Sequence, residues 1–371
     1  RRSSAASDVY KRQVYGRTMK IAIINDTHWG ARNDSQQFLD YFKKFVDNIF
    51  LPYIDENKID TVIHLGDIVD RRKYINYVTL RHLKDNLIQP LLDRNIDFHV
   101  IIGNHDVPYK NTNDINSMAE LFDKHSVKYY SEPEVVTFDD TDILFVPWIN
   151  TSNYAKSLDM IKNTKAQICM GHLEIAGCTL MRGITSDHGI SIDTFKHFDT
   201  VLSGHFHTKS TSNNVYYLGT QYELTWSDYQ DPKGFHVFDT STREIEMIRN
   251  PYRMFHKVFY DDVKNTSDEI LHKDYSMYGN TYVKVITQEK ENPYTFDLFM
   301  DKLYQENPIA VQIVDDHLNL HLEGDDDLVN QTQDTVTILS NYIENMETSV
   351  PKKRLDNLMR TLYNEALYME V

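Results

Sequence analysis

The 371-residue sequence contains only two cysteines, Cys169 and Cys178. That is too few for a disulfide framework, and Cys169 lies inside an apolar run where a thiol serves packing rather than catalysis. No apolar stretch approaches the roughly 20 residues that span a bilayer. None shows the charged, apolar, small-residue order of a secretory signal either, so a soluble intracellular protein with no membrane partner is expected. Positive charge is scarce as well: 39 Lys and Arg stand against 55 Asp and Glu, a net charge of -16. This balance argues against a nucleic-acid binder that works through a broad basic face. It does not exclude a protein that holds phosphate through divalent cations, because bound ions are the largest charges in such a site. The acidic clusters Asp315-Asp316 and Glu323-Gly324-Asp325-Asp326-Asp327 read as solvated turns. Internal repeats and low-complexity segments are lacking too.

What is present is a set of apolar runs that each end in chemistry. Phe98 to Ile102 runs into Gly103-Asn104-His105-Asp106, and Ile21 to Ile24 into Asn25-Asp26-Thr27-His28. Val62 to Leu65 runs into Gly66-Asp67, Ile168 to Met170 into Gly171-His172, and Val201 to Ser203 into Gly204-His205-Phe206-His207. Buried strands that deliver polar residues at their carboxyl ends are the pattern of a site built on a layered α/β domain.

From Met19 to about residue 240, strands alternate with helices. Lys20–Asn25, Asp60–Leu65 and Phe98–Ile102 read as strands, and Gln36–Ile54, Val78–Leu92 and Asn113–Lys124 as helices. The later part is richer in strands, at Ile143–Val146, Gln167–Met170, Thr200–Leu202, Val215–Leu218 and Gly234–Phe238. A two-sheet core flanked by helices accommodates both halves. A small α+β appendage follows from about residue 249 to 330, with strands at Tyr282–Ile286 and Ala310–Val314 around a helix at Tyr294–Glu306. Helical patterns close the chain at Asp334–Met346 and Lys352–Glu370, the latter with Leu355, Leu358, Met359, Leu362 and Ala366 at helical spacing. Either these cover their own domain or they dock on a partner. Residues 1–18 are expected to be a non-native tag or artefact, because Ser3 to Gln13 resembles a translated sequencing-library adapter; Met19 is then the natural start.

Asp26, His28, Asp67, Asn104, His172, His205 and His207 supply carboxylate oxygens, an amide oxygen and imidazoles. Seven such ligands suffice for two ions that share one bridging carboxylate. The mix suits manganese, iron or zinc better than calcium or a largely hydrated magnesium. Two ions roughly 3.5 to 4 Å apart clamp the attacking and departing oxygens of an in-line phosphoryl displacement. Taken singly, Asp-x-His and His-x-His are weak signals; five elements in order at strand ends are a strong one. His64 and His99, inside strands, read as core or supporting residues, and Asp70 and Arg71 as a structural salt link or as groups that orient ligands or touch phosphate.

Asp26-Thr27-His28, Gly66-Asp67-Ile68-Val69-Asp70-Arg71, Gly103-Asn104-His105-Asp106, Gly171-His172 and Gly204-His205-Phe206-His207 together resemble the five signatures of calcineurin-like metallophosphoesterases. Trp29-Gly30 and Leu173-Glu174-Ile175-Ala176-Gly177 bring the chain nearer to the SbcD and meiotic-recombination double-strand-break repair nucleases, of the phage exonuclease-subunit type. The resemblance implies a two-sheet metallophosphoesterase sandwich over residues 19–240, a DNA-capping domain over 249–330, and ATPase-binding helices over 334–371. It further implies one manganese on Asp26, His28, Asp67 and His207 and a second on Asp67, Asn104, His172 and His205. His105 would protonate the departing sugar oxygen or order the scissile phosphate, with Asp106 orienting it. The implied activity is 3′ to 5′ exonuclease action on duplex ends and endonuclease action on single strands or hairpins. The implied partners are DNA, an SbcC-type coiled-coil ATPase and a second copy of the chain. Leu80, Leu83, Leu87 and Leu91 would either serve that dimer or face the core. The location is cytoplasmic, that of the host if the chain is phage-encoded.

Two rival readings use the same residues. A metal-dependent phosphatase needs the same ions but no separate terminal helices, and a non-catalytic scaffold of the ATPase complex tolerates loss of ligands. Turnover of a phosphomonoester without DNA cleavage selects the first, and the complete ligand set speaks against the second.

Overall fold

Alternating β-branched and apolar residues build two six-stranded mixed sheets. The computed structural model describes residues 19–123, 126–181, 184–315, 343, 352, 354 and 355. In chain order the strands are β1 (Lys20–Ile24), β2 (Thr61–His64), β3 (Asp97–Ile101), β4 (Lys128–Tyr130), β5 (Glu134–Phe138), β6 (Thr141–Val146) and β7 (Ile168–Gly171). They continue with β8 (Thr200–Ser203), β9 (Ser210–Ser212), β10 (Val215–Tyr217), β11 (Gly234–Asp239) and β12 (Ile245–Arg249). The first sheet has the order β12-β11-β1-β2-β3-β4 and the second β9-β10-β8-β7-β6-β5. Strands β1, β2 and β3 are mutually parallel, as are β6, β7 and β8, so the ends that carry the polar motifs share one edge in each sheet.

The period-2 pattern decides which residues meet. Ile21, Ile23, Ile63 and Ile101 from the first sheet pack with Ile143, Phe145, Ile168, Met170 and Leu202 from the second to fill the space between them. The outward face of the second sheet, with Leu144, Val146, Cys169 and Val201, is covered through Ile161 and Phe195. Cys169 is fully buried there, in keeping with a packing role. Helices cover the first sheet: Phe45 and Phe50 lie against Phe235 of β11.

The two predicted long helices are present but interrupted. Gln36–Phe45 passes through a π turn at Val46–Phe50 into Leu51–Asn57, and Tyr77–Leu83 through Lys84–Ile88 into Gln89–Asp93. Each π turn ends two residues before a proline, Pro52 or Pro90, whose ring displaces the carbonyl four residues back and whose nitrogen donates nothing. Leu83, Leu87 and Leu91 are buried and Leu80 half-buried, so this leucine row faces the core; Tyr74, Tyr77 and Val78 are what the same segment exposes. The helix expected over 113–124 is reduced to Ser117–Leu121. Asn113 instead spends its amide on Ser131 and Trp148 carbonyls, and Asn116 caps the short helix by accepting from the Ala119 N–H.

Beyond β12, strands β13 (Phe255–Asp261), β14 (Tyr282–Glu289) and β15 (Ala310–Asp315) form a parallel three-stranded sheet. One face packs Val258, Tyr260, Val283 and Val285 against Ile270, Phe296, Phe299 and Leu303 of helices Ser267–His272 and Pro293–Gln305. The buried Glu223 holds the entry to this unit: its carboxylate accepts from the Met254 and Phe255 N–H groups at 2.7 and 3.0 Å and from Arg253 at 3.0 Å. Phe38 packs beside Phe255 and Tyr282. Described residues up to Leu224 and from Asp228 to Asp315 form one compact unit; Thr225–Ser227 are assigned to a second. The expected helices at 334–346 and 352–370, and residues 1–18, lie outside the described residues apart from the few named above. Among the described residues, no helix is long and apolar enough to cross a membrane.

Candidate metal centre

The strand ends do not simply stop; they turn through left-handed backbone. Asp26, His28, Asp67 and His205 have φ of 49°, 43°, 57° and 83°. Such conformations are costly for non-glycine residues and persist where the surroundings over-determine them. Glycine is required at two neighbouring positions by close approach. A Cβ on Gly66 would lie 2.5 Å from His172 Nδ1, and one on Gly103 would collide with the Asp67 carboxylate.

These turns bring all seven sequence-predicted ligands together with His105. In each of three triplets, Asp26/His28/His207, His28/Asp67/His105 and Asp67/His172/His205, the candidate ligand atoms lie within 4.8 Å of one another. Asp67 Oδ2 is common ground: it lies 3.3 Å from His172 Nε2 and 3.8 Å from His28 Nε2. Asn104 Oδ1 is 2.9 Å from His172 Nε2, and His207 Nε2 is 3.1 Å from His28 Nε2.

The protonation chemistry of this cluster fits a cation. His172 Nδ1 is 2.8 Å from the Leu65 carbonyl, which can only accept, so Nδ1 carries the proton and Nε2 presents a lone pair. That lone pair faces two further acceptors, Asn104 Oδ1 and Asp67 Oδ2. Two oxygens and an imidazole nitrogen converge there, so either a second proton on Nε2 or a cation must lie between them, and a divalent cation satisfies all three at once. His205 Nε2 is buried without any hydrogen-bond partner, which is the same signature. The residues therefore fit divalent metal.

Burial and charge pull the protonation of these groups in opposite directions. Burial opposes protonation of His28, yet its bond to Asp70 and the charges of Asp67, Asp70 and Asp26 push it up to about 9. Burial opposes protonation of His172 as well, yet Asp67 and Asp26 raise it to about 9. Burial and the neighbouring His28 lower His207 to about 3, and burial with His172 drives His205 well down. Burial raises Asp26; at Asp67 burial acts the same way, but His172 and His105 overcome it and hold the carboxyl well below the usual range.

The supporting residues divide differently from the sequence expectation. The hydrogen bonds of Asp106 run to backbone across the sheet rather than to the His105 ring. The buried carboxylate accepts from the backbone N–H groups of Asp67 (2.8 Å), Gly103 (2.9 Å), Ile68 (3.0 Å) and Val69 (3.4 Å), and so pins the loop that carries Asp67. Burial and the Asp67 charge raise it to about 6, against these bonds. The His105 ring is held by the Asp70 carbonyl at Nδ1, which leaves Nε2 as its other ring nitrogen. The ring sits edge-on to His28 at 4.9 Å. Asp70 also lies 3.4 Å from His28 Nδ1 and orients it, whereas Arg71 makes the structural link, to Asp34, Asn33 and Tyr74.

His64 is a supporting residue: its Nδ1 accepts from Gly66 N–H and its Nε2 bonds Thr27 Oγ1 at 2.9 Å, tying the first two motifs together. His99 is a core residue stacked near Tyr130 and Phe138. Three supporting groups carry no sequence motif. Tyr222 donates to the Thr27 carbonyl at 2.6 Å and stacks on Phe42 at 4.1 Å. Lys233, almost wholly buried beside Asp228, donates to the His207 carbonyl at 3.0 Å. The Trp148 ring lies 5.1 Å from that of His205.

Comparison with known proteins agrees with this geometry. Residues 19–209 match the calcineurin-like phosphoesterase family. The chain is similar to exonuclease subunit 1 of Enterobacteria phage T4, at 33% identity over 94% of this chain and 99% of that one. It is also similar to the SbcD component of the nuclease SbcCD of Staphylococcus epidermidis, at 23% identity over 88% of this chain and 93% of that one. The DNA double-strand break repair protein Mre11 of Halobacterium salinarum matches at 27% identity over 65% of this chain and 62% of that one. The chain therefore belongs to the calcineurin-like phosphoesterases and, within them, to the SbcD and Mre11 nucleases, with a buried His/Asp metal centre.

Proposed function

We propose that the chain is the nuclease subunit of a DNA double-strand-break repair and recombination complex, cutting duplex ends 3′ to 5′ and single strands or hairpins internally, with manganese as the working metal. The observation that carries this reading is the position of Asp67 Oδ2 between two groups of acceptor atoms, with His105 beside them. In this reading Asp26, His28, Asp67 and His207 hold one ion, and Asp67, Asn104, His172 and His205 the other. When bound, the ions supply charge neutralisation of the scissile phosphate and an activated water nucleophile. His105, its Nδ1 tied to Asp70, offers Nε2 to the departing sugar oxygen as a proton donor. Burial lowers its proton affinity, which makes it a ready donor once charged. Asp106, Asp70 and His64 keep these groups in register.

The unit of β13 to β15 corresponds to the DNA-capping domain of residues 249–330, and residues 334–371 to the helices that dock an SbcC-type ATPase. A chain of net charge -16 draws part of its DNA affinity from that partner and from the ions. A homodimer through the segments after the second and third motifs completes the assembly, and the exposed Tyr74, Tyr77 and Val78 lie there.

The test is digestion of end-labelled duplex and hairpin DNA by residues 19–371 with manganese, with magnesium and with chelator, beside His105→Ala. The expected result is manganese-dependent shortening from 3′ ends that falls roughly 100-fold or more in His105→Ala, with manganese binding retained. Phosphomonoester turnover without DNA cleavage, even with ATPase and ATP supplied, would assign a phosphatase instead.

A further inference from the structure

Trp148 is held more firmly than a rim residue requires. Its N–H donates to the Ile102 carbonyl at 2.8 Å, at the root of the Gly103-Asn104 turn. Its own carbonyl accepts from Asn113 Nδ2 at 2.9 Å and Asn153 Nδ2 at 3.0 Å. Asn150 Nδ2 donates to Asn113 Oδ1, and Asn153 Oδ1 accepts from the Asn150 N–H, so three buried asparagines fix the backbone beneath one indole. The indole is only half-buried. Its ring centroid lies 5.1 Å from that of His205 and 6.2 Å from that of His172, beside the Asp67, Asn104, His172, His205 group.

A tryptophan that merely walls the centre would bury both ring faces, as Trp29 does. Trp148 instead keeps exposed surface beside the Asp67, Asn104, His172, His205 group. A chain with so few cations must also find substrate affinity that is not ionic. Stacking on an aromatic face supplies it, is insensitive to sequence because every base has a π face, and gains from a platform that is rigid beforehand.

We propose that Trp148 is a stacking platform for a nucleobase adjoining the scissile phosphate, on the side of the centre formed by His172 and His205. This rests on the nuclease reading above. The half-site takes a purine or pyrimidine of an unpaired strand, so it favours substrates whose end or loop frees a base beside the cut.

The test measures binding of a fluorescein-labelled single-stranded oligonucleotide by anisotropy, with calcium in place of manganese to suppress turnover. Wild type, Trp148→Ala and Trp148→Phe are compared on an intact strand and on strands with one abasic residue moved through the positions flanking the cut. Trp148→Ala should weaken binding of the intact strand roughly tenfold, and Trp148→Phe should retain most of it. At one flanking position the abasic strand should weaken wild type comparably and leave no further loss for Trp148→Ala, since both remove the same contact. An alanine penalty that is the same on intact and abasic strands at every position overturns the platform, as does manganese affinity falling in parallel with DNA affinity. Wild type that neither binds nor cuts oligonucleotides overturns the nuclease reading itself, and the platform with it.

Discussion

Replacing Asp106 by asparagine separates two roles that adjacency to His105 confuses. The Asp106 carboxylate receives Asp67 and Gly103 N–H on one oxygen, and Ile68 and Val69 N–H with Ser117 Oγ on the other. Asparagine keeps one carbonyl oxygen and turns an NH2 toward the remaining donors. Two backbone N–H groups are then orphaned in a buried loop, at about 1–3 kcal/mol each, or about 2–6 kcal/mol together. That is a large part of the roughly 5–15 kcal/mol typical of a folded domain. Because the loss resides in the protein and not in the ions, it should appear in urea unfolding with chelator present, at pH 8, where the wild-type carboxylate is ionised. Asp67 rides on the same loop, so manganese affinity should fall roughly 10- to 100-fold, the usual effect of losing a group that orients ligands. An Asp106→Asn protein with chelated stability within about 0.5 kcal/mol of wild type and unchanged manganese affinity, but an altered pH profile of cleavage, would refute this reasoning. It would return Asp106 to the role of orienting His105.

Two further perturbations follow from buried groups with no part in the sequence motifs. Lys233→Met leaves Asp228 buried without its cation, which should cost about 3–5 kcal/mol in urea unfolding. Lys233→Met/Asp228→Asn should recover much of that stability yet still bind manganese weakly, because the His207 carbonyl has lost its donor; full recovery of manganese affinity would make the lysine purely structural. His236, 1% exposed with neither ring nitrogen bonded, is held down to about 3 by burial and by Lys209. Its unfolded value is near 6.5, so as pH falls below that the unfolded chain takes a proton the folded one refuses, and stability is lost. From pH 7 to pH 5 the loss amounts to about 2 kcal/mol. His236→Leu should remove that slope, and identical pH dependence of urea midpoints in both proteins would show that the ring is solvated.

The fold is legible where one periodicity runs uninterrupted. Strands β1, β2, β3, β7 and β8 stand within a residue or two of their expected bounds because each is a short apolar run stopped by glycine or a polar ligand. The antiparallel edges are harder: Ile245–Arg249 alternates Ile, Glu, Met, Ile and Arg, and only its pairing with β11 makes it a strand. The hairpin of β5 and β6 carries a visible signal in Asp139-Asp140, with Asp139 at positive φ, that apolar patterning overlooks. The helix overextended at Asn113 fails for a physical reason, since asparagine side chains there satisfy backbone groups of other segments. The strand Phe255–Asp261 escapes the pattern because Lys257 and exposed Phe259 break its alternation.

The candidate site shows the same division at finer scale. Ligands announce themselves because metal chemistry restricts them to a few residue types, and strand ends restrict where those types stand. Their supports are chosen only by what lies opposite in space, so Asp106 looks like a partner of its neighbour His105 while it serves the loop across the sheet. Asp26, His28, Asp67 and His205 each hold a backbone conformation that costs on the order of 1–3 kcal/mol. Asp106, His64, Tyr222 and Lys233 are the groups that keep those turns closed. Strain at the candidate ligands and a dense bonding network behind them are therefore one device: the network holds the carboxylates and imidazoles together in the geometry a divalent cation would require.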